Sequence, residues 1–153
     1  MALREIVKIG DSILRQRSRE IEAFDERLHA LLDDMAQTLD KENGLGIAAV
    51  QVGILKRAAI IKSGGVTYEI INPVIIKTEG AVCDSEGCLS VPNERGDVER
   101  PKAVTVRAYD RYGKLKEHTA GGYTARAFCH EIDHMDGVLF IDKLYDNKKK
   151  RKE

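Results

Sequence analysis

The stretch Cys-His-Glu-Ile-Asp-His at residues 129–134 constrains this chain more than any other. Successive residues of an α-helix are turned by about 100°, so His130, Glu131 and His134 project to one side of a helix. Two imidazoles one turn apart can hold one metal ion, and the carboxylate between them can take the proton of a metal-bound water. Gly137 is a suitable end for this helix. The pattern therefore predicts a metal-binding helix near the C-terminus.

A catalytic site of this kind needs a third protein ligand, because tetrahedral metal sites that do chemistry keep three ligands and one open position for water. The best candidate is Cys88, which lies in a turn-rich segment where side chains are expected to be accessible. A thiolate suits a borderline-soft metal beside two imidazoles. Cys83 is a second candidate, and Cys129 is a weaker one because it adjoins His130 on the helix.

The overall composition is that of a small globular protein without strong net charge. The chain has 153 residues, and 25 basic side chains balance 25 acidic ones. We expect one catalytic domain over residues 1–153, with a flexible basic tail at 147–153 that attracts the ribosome or another polyanion. The absence of a long apolar run and of a signal-peptide core predicts a cytoplasmic protein without membrane contact. Three cysteines argue against a disulfide framework.

Strand patterns fill the middle of the chain, and helical patterns flank them. Apolar residues recur at helical spacing over residues 25–42, with Asp25 as the N-cap and Asn43-Gly44 as the end. Strand patterns occur over residues 57–62, 66–72, 74–78, 103–109 and 115–119. Pro73 is expected to break the strand before it. The sequence predicts an α+β fold, with antiparallel β-sheets packed around a central C-terminal metal-binding helix (HExxH) and with an N-terminal helix.

Residues 44–53 are small and apolar except for Gln51, whose amide needs hydrogen-bond partners if it is buried. Glycines in this segment allow a backbone or a ligand to approach closely. The segment lacks the third glycine of a dinucleotide fingerprint and the Gly-Lys-Ser/Thr of a phosphate loop. Both nucleotide-binding motifs are therefore rejected.

Three segments taken together resemble the signature motifs of peptide deformylase. They are residues 44–51 (GLGIAAVQ), 86–90 (EGCLS) and 130–134 (HEIDH), in that order. The resemblance extends over nearly the whole chain. It implies a metal-dependent hydrolase that removes the formyl group from the N-terminal formyl-methionine of newly made proteins, so its substrates are nascent formyl-methionyl peptides and it releases formate.

The resemblance also implies roles at matching positions. It makes Cys88, His130 and His134 the metal ligands, with Glu131 as the general acid/base that acts on a metal-bound water. The implied metal in the cell is Fe²⁺, for which Zn²⁺, Ni²⁺ or Co²⁺ can substitute. The chain departs from the family pattern at Cys129, where Gln usually precedes the His-Glu pair. This departure changes no implied ligand or base, although it alters the hydrogen bonds available around the site.

Substrate contacts follow from the same resemblance. It makes Gln51 and the backbone N–H of Leu89 the donors to the formyl oxygen, and it makes Gly46 and Gly87 the residues that present backbone to the peptide. The methionine side chain needs an apolar slot, for which we predict the lining residues Leu45, Arg126 and Ala127.

One further charge invites a hypothesis. Arg100 follows the second motif, and we predict that it pairs with Glu86, Asp133 or both and so braces residues next to the ligands.

Two other interpretations stay open at this point. A zinc metallopeptidase also uses His-Glu-x-x-His but takes its third ligand, Glu or His, downstream of the helix, where this chain has Asp136, Asp142 and Asp146. A non-enzymatic, metal-stabilised binding module would need a fourth ligand, which Cys83 or Cys129 could supply. A structural site has no use for the glutamate between the two histidines, which argues against the module.

Overall fold

The computed structural model describes residues 2–145, in which two α-helices and seven β-strands build the fold. In chain order the elements are α1 (Glu26–Glu42), β1 (Gly46–Ala48), β2 (Ala58–Ser63), β3 (Val66–Glu79), β4 (Val82–Cys88), β5 (Val91–Arg100), β6 (Ala103–Tyr109), β7 (Leu115–Gly121) and α2 (Gly122–Met135). No helix in this range is long and apolar enough to cross a membrane.

Five strands form one antiparallel sheet in the order β1-β2-β3-β6-β7, while β4 and β5 form a separate antiparallel pair. Both faces of β2 are buried. Ala58 and Ile60 belong to the core that α1 covers, whereas Ala59 and Ile61 belong to the core that α2 covers. Successive strand residues point to opposite faces, so an unbroken apolar run is what a strand between two helices requires. The predicted α+β class is confirmed.

Helix α1 begins and ends where its sequence predicts. The Asp25 carboxylate accepts a hydrogen bond from the Leu28 backbone N–H at 3.1 Å, which caps the first turn. Asn43 ends the helix in the left-handed conformation, with a φ of 52°. The buried face comprises Leu28, Leu31, Leu32, Met35 and Leu39. This face fixes α1 on the sheet and thereby positions the glycine-rich segment that follows it.

Helix α2 lies between the two sheets, and its side chains are buried without interruption from Ala125 to Ile132. Polar side chains on such a helix must find partners inside the protein. At the helix end, the buried Arg57 guanidinium donates hydrogen bonds to the Met135 carbonyl and to Asp136 Oδ1, both at 3.0 Å. These bonds fix the C-terminal end of the helix against the first residue before β2.

The segment over residues 83–92 differs from the turn-rich loop that its composition suggests. Most of it forms β4 and β5, which are joined by a tight turn at Leu89-Ser90 with Cys88 opposite Val91. Antiparallel pairing satisfies the backbone here, and it overrides the turn preference of individual Asp, Ser and Gly residues. Cys88 therefore stands at the end of a strand rather than on a free loop.

Pro73 does not break its strand, which also differs from the prediction. Strand β3 continues through it, and the register with β6 shifts between Ile71 and Val74. A register shift at this point accommodates a residue that has no N–H to donate to the ladder.

The single domain over residues 1–153 stays a prediction, and the basic tail at 147–153 lies outside the described residues.

Candidate metal centre and active site

Three potential metal ligands meet where α2 faces the end of β4. His130 Nε2 and His134 Nε2 lie 3.2 Å apart, and Cys88 Sγ lies 3.3 Å from His134 Nε2. All three ligand atoms lie within 4.8 Å of one another. The helical i, i+4 spacing brings the imidazoles together, while the end of β4 supplies the sulfur. Within residues 2–145, neither Cys83 nor Cys129 belongs to this cluster.

The spacing of these atoms fits a single metal ion. With metal–nitrogen bonds of about 2.0–2.1 Å and a metal–sulfur bond of about 2.3 Å, tetrahedral ligand atoms lie roughly 3.3–3.6 Å apart. Burial holds the pKa of His134 well below its usual value, so this imidazole is neutral and its Nε2 has a lone pair for a metal. The donor set of one sulfur and two imidazole nitrogens suits a divalent transition metal.

The orientation of His130 is fixed from behind by Glu86. His130 Nδ1 lies 2.9 Å from Glu86 Oε1, which leaves Nε2 on the side of Cys88 and His134 and available to a metal. Burial lowers the pKa of His130, but Glu131, Cys88 and Glu86 more than offset this effect and raise it to about 10. The same negative potential favours a metal cation at the site.

Glu86 is the centre of a buried ionic network. Arg100 donates to both of its oxygens, at 2.8 and 3.0 Å, and Arg126 Nη1 donates to Oε2 at 2.7 Å. Arg100 Nη1 also donates to Asp133 Oδ2 at 2.6 Å, so the two contacts predicted for Arg100 are both present. Burial raises the pKa of Glu86, but hydrogen bonds from His130 and Arg100 outweigh burial and lower it to about 2. The carboxylate is thus charged throughout the physiological range.

Glu131 lies in the same pocket, and one of its oxygens has no hydrogen-bond partner among residues 2–145. Its Oε1 is buried and unpaired, and burial raises the pKa of Glu131 to about 7. Oε2 lies against the backbone of Gly46, where an added Cβ would come within 2.8 Å of it. A carboxyl group with a pKa near neutrality and a free oxygen is suited to accept and return a proton.

Gln51 is oriented by two contacts that fix its amide. Its Oε1 accepts a hydrogen bond from the Ala48 backbone N–H at 2.9 Å, while its Nε2 donates to Ser90 Oγ at 3.2 Å and lies 3.6 Å from Cys88 Sγ. The NH₂ group is therefore on the side of the metal cluster. The buried amide thus has its partners in Ala48 and Ser90, and no sequence pattern pointed to Ser90 in advance.

A cavity of about 530 Å³ opens from the cluster to the surface. It is lined by every predicted substrate-contact residue: Leu45, Gly46, Gln51, Gly87, Leu89, Arg126 and Ala127. At Gly87 an added Cβ would come within 2.6 Å of Arg95 Nη1, so a larger residue there would displace that guanidinium. The charged end of Arg126 bonds to Glu86 and to the carbonyls of Val82 and Val98.

Two features of the site go beyond the sequence-based expectations. Glu86 contacts His130 directly. Strand alternation could have indicated this contact, because residues 86 and 88 of one strand point to the same face. Cys129, on α2 directly before His130, is buried in the core, and burial raises the pKa of its thiol. It is one of three free thiols in the chain.

The site combines three features: two histidines and a buried glutamate on one helix, a cysteine at the end of a strand, and an open cavity. Together they define a metal-dependent hydrolase. Comparison with known proteins narrows this class. The family profile described as Polypeptide deformylase matches residues 3–150. The Peptide deformylase of Caldicellulosiruptor bescii is 54% identical over 144 residues, which cover 94% of this chain and 87% of that protein. Peptide deformylase 1 of Clostridium acetobutylicum is 47% identical over 148 residues, which cover 97% and 99%.

Solved structures agree with the sequence relatives. The crystal structure of peptide deformylase from Thermotoga maritima has a TM-score of 0.93 at 35% identity and covers 95% of this chain and 100% of that one. A Met-Ala-Ser-bound class I type b peptide deformylase from Acinetobacter baumannii has a TM-score of 0.90 at 34% identity, with coverage of 94% and 100%. This chain belongs to the polypeptide deformylase family. It is an enzyme that hydrolytically removes the formyl group from N-terminal formyl-methionine, and neither the metallopeptidase nor the binding module is favoured.

Proposed function

We propose that Cys88, His130 and His134 hold the metal on which this deformylase depends. The observation that carries this proposal is the meeting of one sulfur and two Nε2 atoms at 3.2 and 3.3 Å. Glu86 supports it, because its contact with Nδ1 directs His130 Nε2 towards the other ligand atoms. When bound, the metal supplies Lewis acidity that lowers the pKa of water from 15.7 to about 7.

Glu131 acts as the general acid/base in this proposal. Its buried Oε1 accepts a proton from water as the formyl carbon is attacked, and the same carboxyl then returns the proton to the leaving amine. Burial raises the pKa of Glu131 to about 7, and a carboxyl group in this range can both accept and return a proton.

Gln51 and Leu89 stabilise the negative charge that develops on the formyl oxygen. The Ala48 N–H fixes Gln51 Oε1, so the amide NH₂ is held towards the cluster before the substrate arrives. The backbone N–H of Leu89 is the second donor. Donors that are fixed in advance lower the barrier because they need no reorganisation during the reaction.

The cavity beside the cluster binds the start of the peptide. Leu45, Ala127 and the aliphatic part of Arg126 contact the methionine side chain, and the backbones at Gly46 and Gly87 contact the peptide main chain. The Acinetobacter baumannii relative, whose structure holds Met-Ala-Ser, supports a peptide of this kind as the ligand. Formyl carries only hydrogen on its carbon, so a tight pocket admits it and excludes larger acyl groups.

We further propose Fe²⁺ as the cellular metal, with Zn²⁺, Ni²⁺ or Co²⁺ able to replace it. Mixed sulfur and nitrogen ligation is compatible with each of these ions. A cytoplasmic location is part of this proposal, because nascent formyl-methionyl peptides are the substrates. The basic tail at residues 147–153 would bring it to the ribosome by attraction to RNA.

The ligand assignment can be tested with a pair of cysteine variants. We expect Cys88→Ala to lose stoichiometric metal after dialysis and to release formate from formyl-Met-Ala-Ser more than about 100-fold more slowly, because a ligand matters at least as much as the groups that orient ligands. Cys83→Ala, on the same strand but outside the cluster, is the matched control and should keep both properties. Full metal content and activity in Cys88→Ala would contradict the assignment and favour a site that takes its third ligand downstream.

A further inference from the structure

The N-terminal arm, residues 2–9, crosses the molecule from α1 to the active-site turn. At its start, the Ala2 backbone N–H and Arg4 Nε donate to the Asp34 carboxylate at 2.7 and 2.9 Å. The Arg4 backbone N–H donates to Thr38 Oγ1 at 3.0 Å, and Ile6 is buried in the core under α1. The arm is therefore attached to a rigid helix before it reaches the site.

The far end of the arm contacts both segments that supply donors to the formyl oxygen. The Val7 backbone N–H donates to the Gln51 carbonyl at 2.7 Å, and the Ile9 N–H donates to the Ser90 carbonyl at 2.8 Å. Between them, Lys8 Nζ donates to the Leu89 carbonyl at 3.1 Å. Three successive residues thus tie the first and second motifs together from outside the cavity.

Leu89 and Ser90 form the whole turn between β4 and β5, since Cys88 is paired with Val91. A turn of two residues has few internal hydrogen bonds to fix the orientation of its peptide planes. Here the carbonyls of both turn residues are held by the arm. The Leu89 N–H and the Leu89 carbonyl belong to the two peptide planes on either side of the Leu89 Cα. Holding the carbonyl therefore restricts the rotation about this Cα that would turn the N–H away from the cavity.

We propose that Lys8 is a positioning residue for deformylation: by holding the Leu89 carbonyl, its ammonium group keeps the Leu89 N–H directed at the formyl oxygen. This inference rests on the proposed role of that N–H. An ammonium donor makes a stronger hydrogen bond to a carbonyl than a neutral donor does. Lys8 is exposed, so water weakens the bond, and the neighbouring Ile9 bond remains when Lys8 is replaced. We therefore expect a partial effect.

The test is a set of variants in zinc-loaded protein. Lys8→Met keeps the aliphatic stem but removes the donor, and we expect kcat to fall about 3- to 10-fold with KM within about twofold. The fall is smaller than the roughly 10²–10³-fold loss for a missing oxyanion donor, because the N–H is loosened rather than removed. Unchanged KM is expected because the donor acts mainly in the transition state. Lys8→Arg should restore kcat, and Lys77→Met, an exposed lysine on β3, is the control.

A second measurement separates positioning from general stability. The ¹⁵N order parameter of the Leu89 amide should fall from about 0.85 towards 0.6 in Lys8→Met and recover in Lys8→Arg. An unchanged order parameter, or a lowered one with the parent kcat, would overturn the inference. A parent protein that releases no formate would instead refute the proposed site roles, while the order parameter would still decide whether Lys8 holds the turn.

Discussion

Glu86 connects the chemistry of the site to its surroundings. One of its oxygens lies 2.9 Å from His130 Nδ1, and its carboxylate also accepts hydrogen bonds from two buried arginines. A histidine that binds a metal through Nε2 is held most firmly when a carboxylate fixes Nδ1. Glu86 thereby fixes the orientation of one proposed ligand, and it also pairs with two buried arginine charges.

We expect Glu86→Gln to weaken metal binding by about 10- to 100-fold, because an amide fixes the imidazole less firmly and leaves the arginines less well paired. The measurement is the zinc dissociation constant by competition with a chromogenic chelator. Glu99→Gln, an exposed glutamate on β5, is the control and should bind zinc as the parent does. Equal zinc affinity in Glu86→Gln and the parent would show that Glu86 does not orient His130.

At the scale of elements, helix α2 carries most of the site, and its position depends on how its ends are held. Arg57 Nη1 bonds to the Met135 carbonyl, which has no later helical N–H as partner. Arg57 itself is buried and pairs with Asp136 Oδ1 as well, while the Met135 carbonyl also accepts a hydrogen bond from the Ser18 backbone N–H at 2.8 Å. The end of the helix is thus fixed one residue after His134.

Arg57→Met should lower the free energy of unfolding by about 1.5–3 kcal/mol, the usual contribution of a hydrogen bond that involves a charged group, because the Met135 carbonyl keeps its bond from Ser18. Thermal or urea unfolding of the metal-free protein measures it. Arg107→Met, whose side chain pairs with Glu117 on an exposed sheet face, should change stability by no more than about 0.5 kcal/mol. Equal losses in the free energy of unfolding of the two variants would show that the bond at the helix end contributes no more to stability than an exposed ion pair.

The elements that could be predicted from sequence are those whose signal is local. The i, i+4 histidines on α2, the cap at Asp25 and the apolar face of α1 depend on neighbours within a few residues, and all are found. The β4–β5 pair and the continuation of β3 through Pro73 depend on partners far along the chain, and local composition concealed both.

The site also divides into features that local sequence predicts and features that depend on the fold. The positions of Cys88, His130 and His134 followed from short motifs, whereas the Ser90 partner of Gln51 and the Arg126 bonds to Glu86 require the fold to be known. Arg126 illustrates the difficulty. Its position on α2 predicted a wall of the cavity, but the direction of its guanidinium depends on carbonyls of β4 and β5.

Across the whole molecule, the metal cluster joins two parts that the ion pairs of Glu86 and Arg100 also connect. Cys88 belongs to the β4–β5 pair, while the two histidines belong to α2, which packs on the five-stranded sheet. A metal held by all three side chains would tie the small sheet to the central helix. Binding to the folded state alone stabilises it in proportion to the logarithm of the metal concentration over its dissociation constant.

Removing the metal should therefore lower the melting temperature. At free zinc about 1,000-fold above its dissociation constant, the stabilisation is about 4 kcal/mol, which corresponds to a shift of roughly 8–16 °C for a protein of this size. Calorimetry of metal-free and zinc-loaded protein measures the shift. In Cys88→Ala the shift should be much smaller, and equal melting temperatures for the parent with and without zinc would contradict a metal held between the sheet and the helix.

The proposed mechanism is tested most directly by formate release from formyl-Met-Ala-Ser, with the parent and Glu131→Gln each loaded with ferrous iron without oxygen. We expect rapid release by the parent and a kcat lower by about 10²–10⁴-fold in the variant, with the metal content unchanged. Gln keeps the size of the side chain but cannot accept the proton. A variant that contains its metal and releases formate as fast as the parent would contradict the role of Glu131 and with it the proposed mechanism.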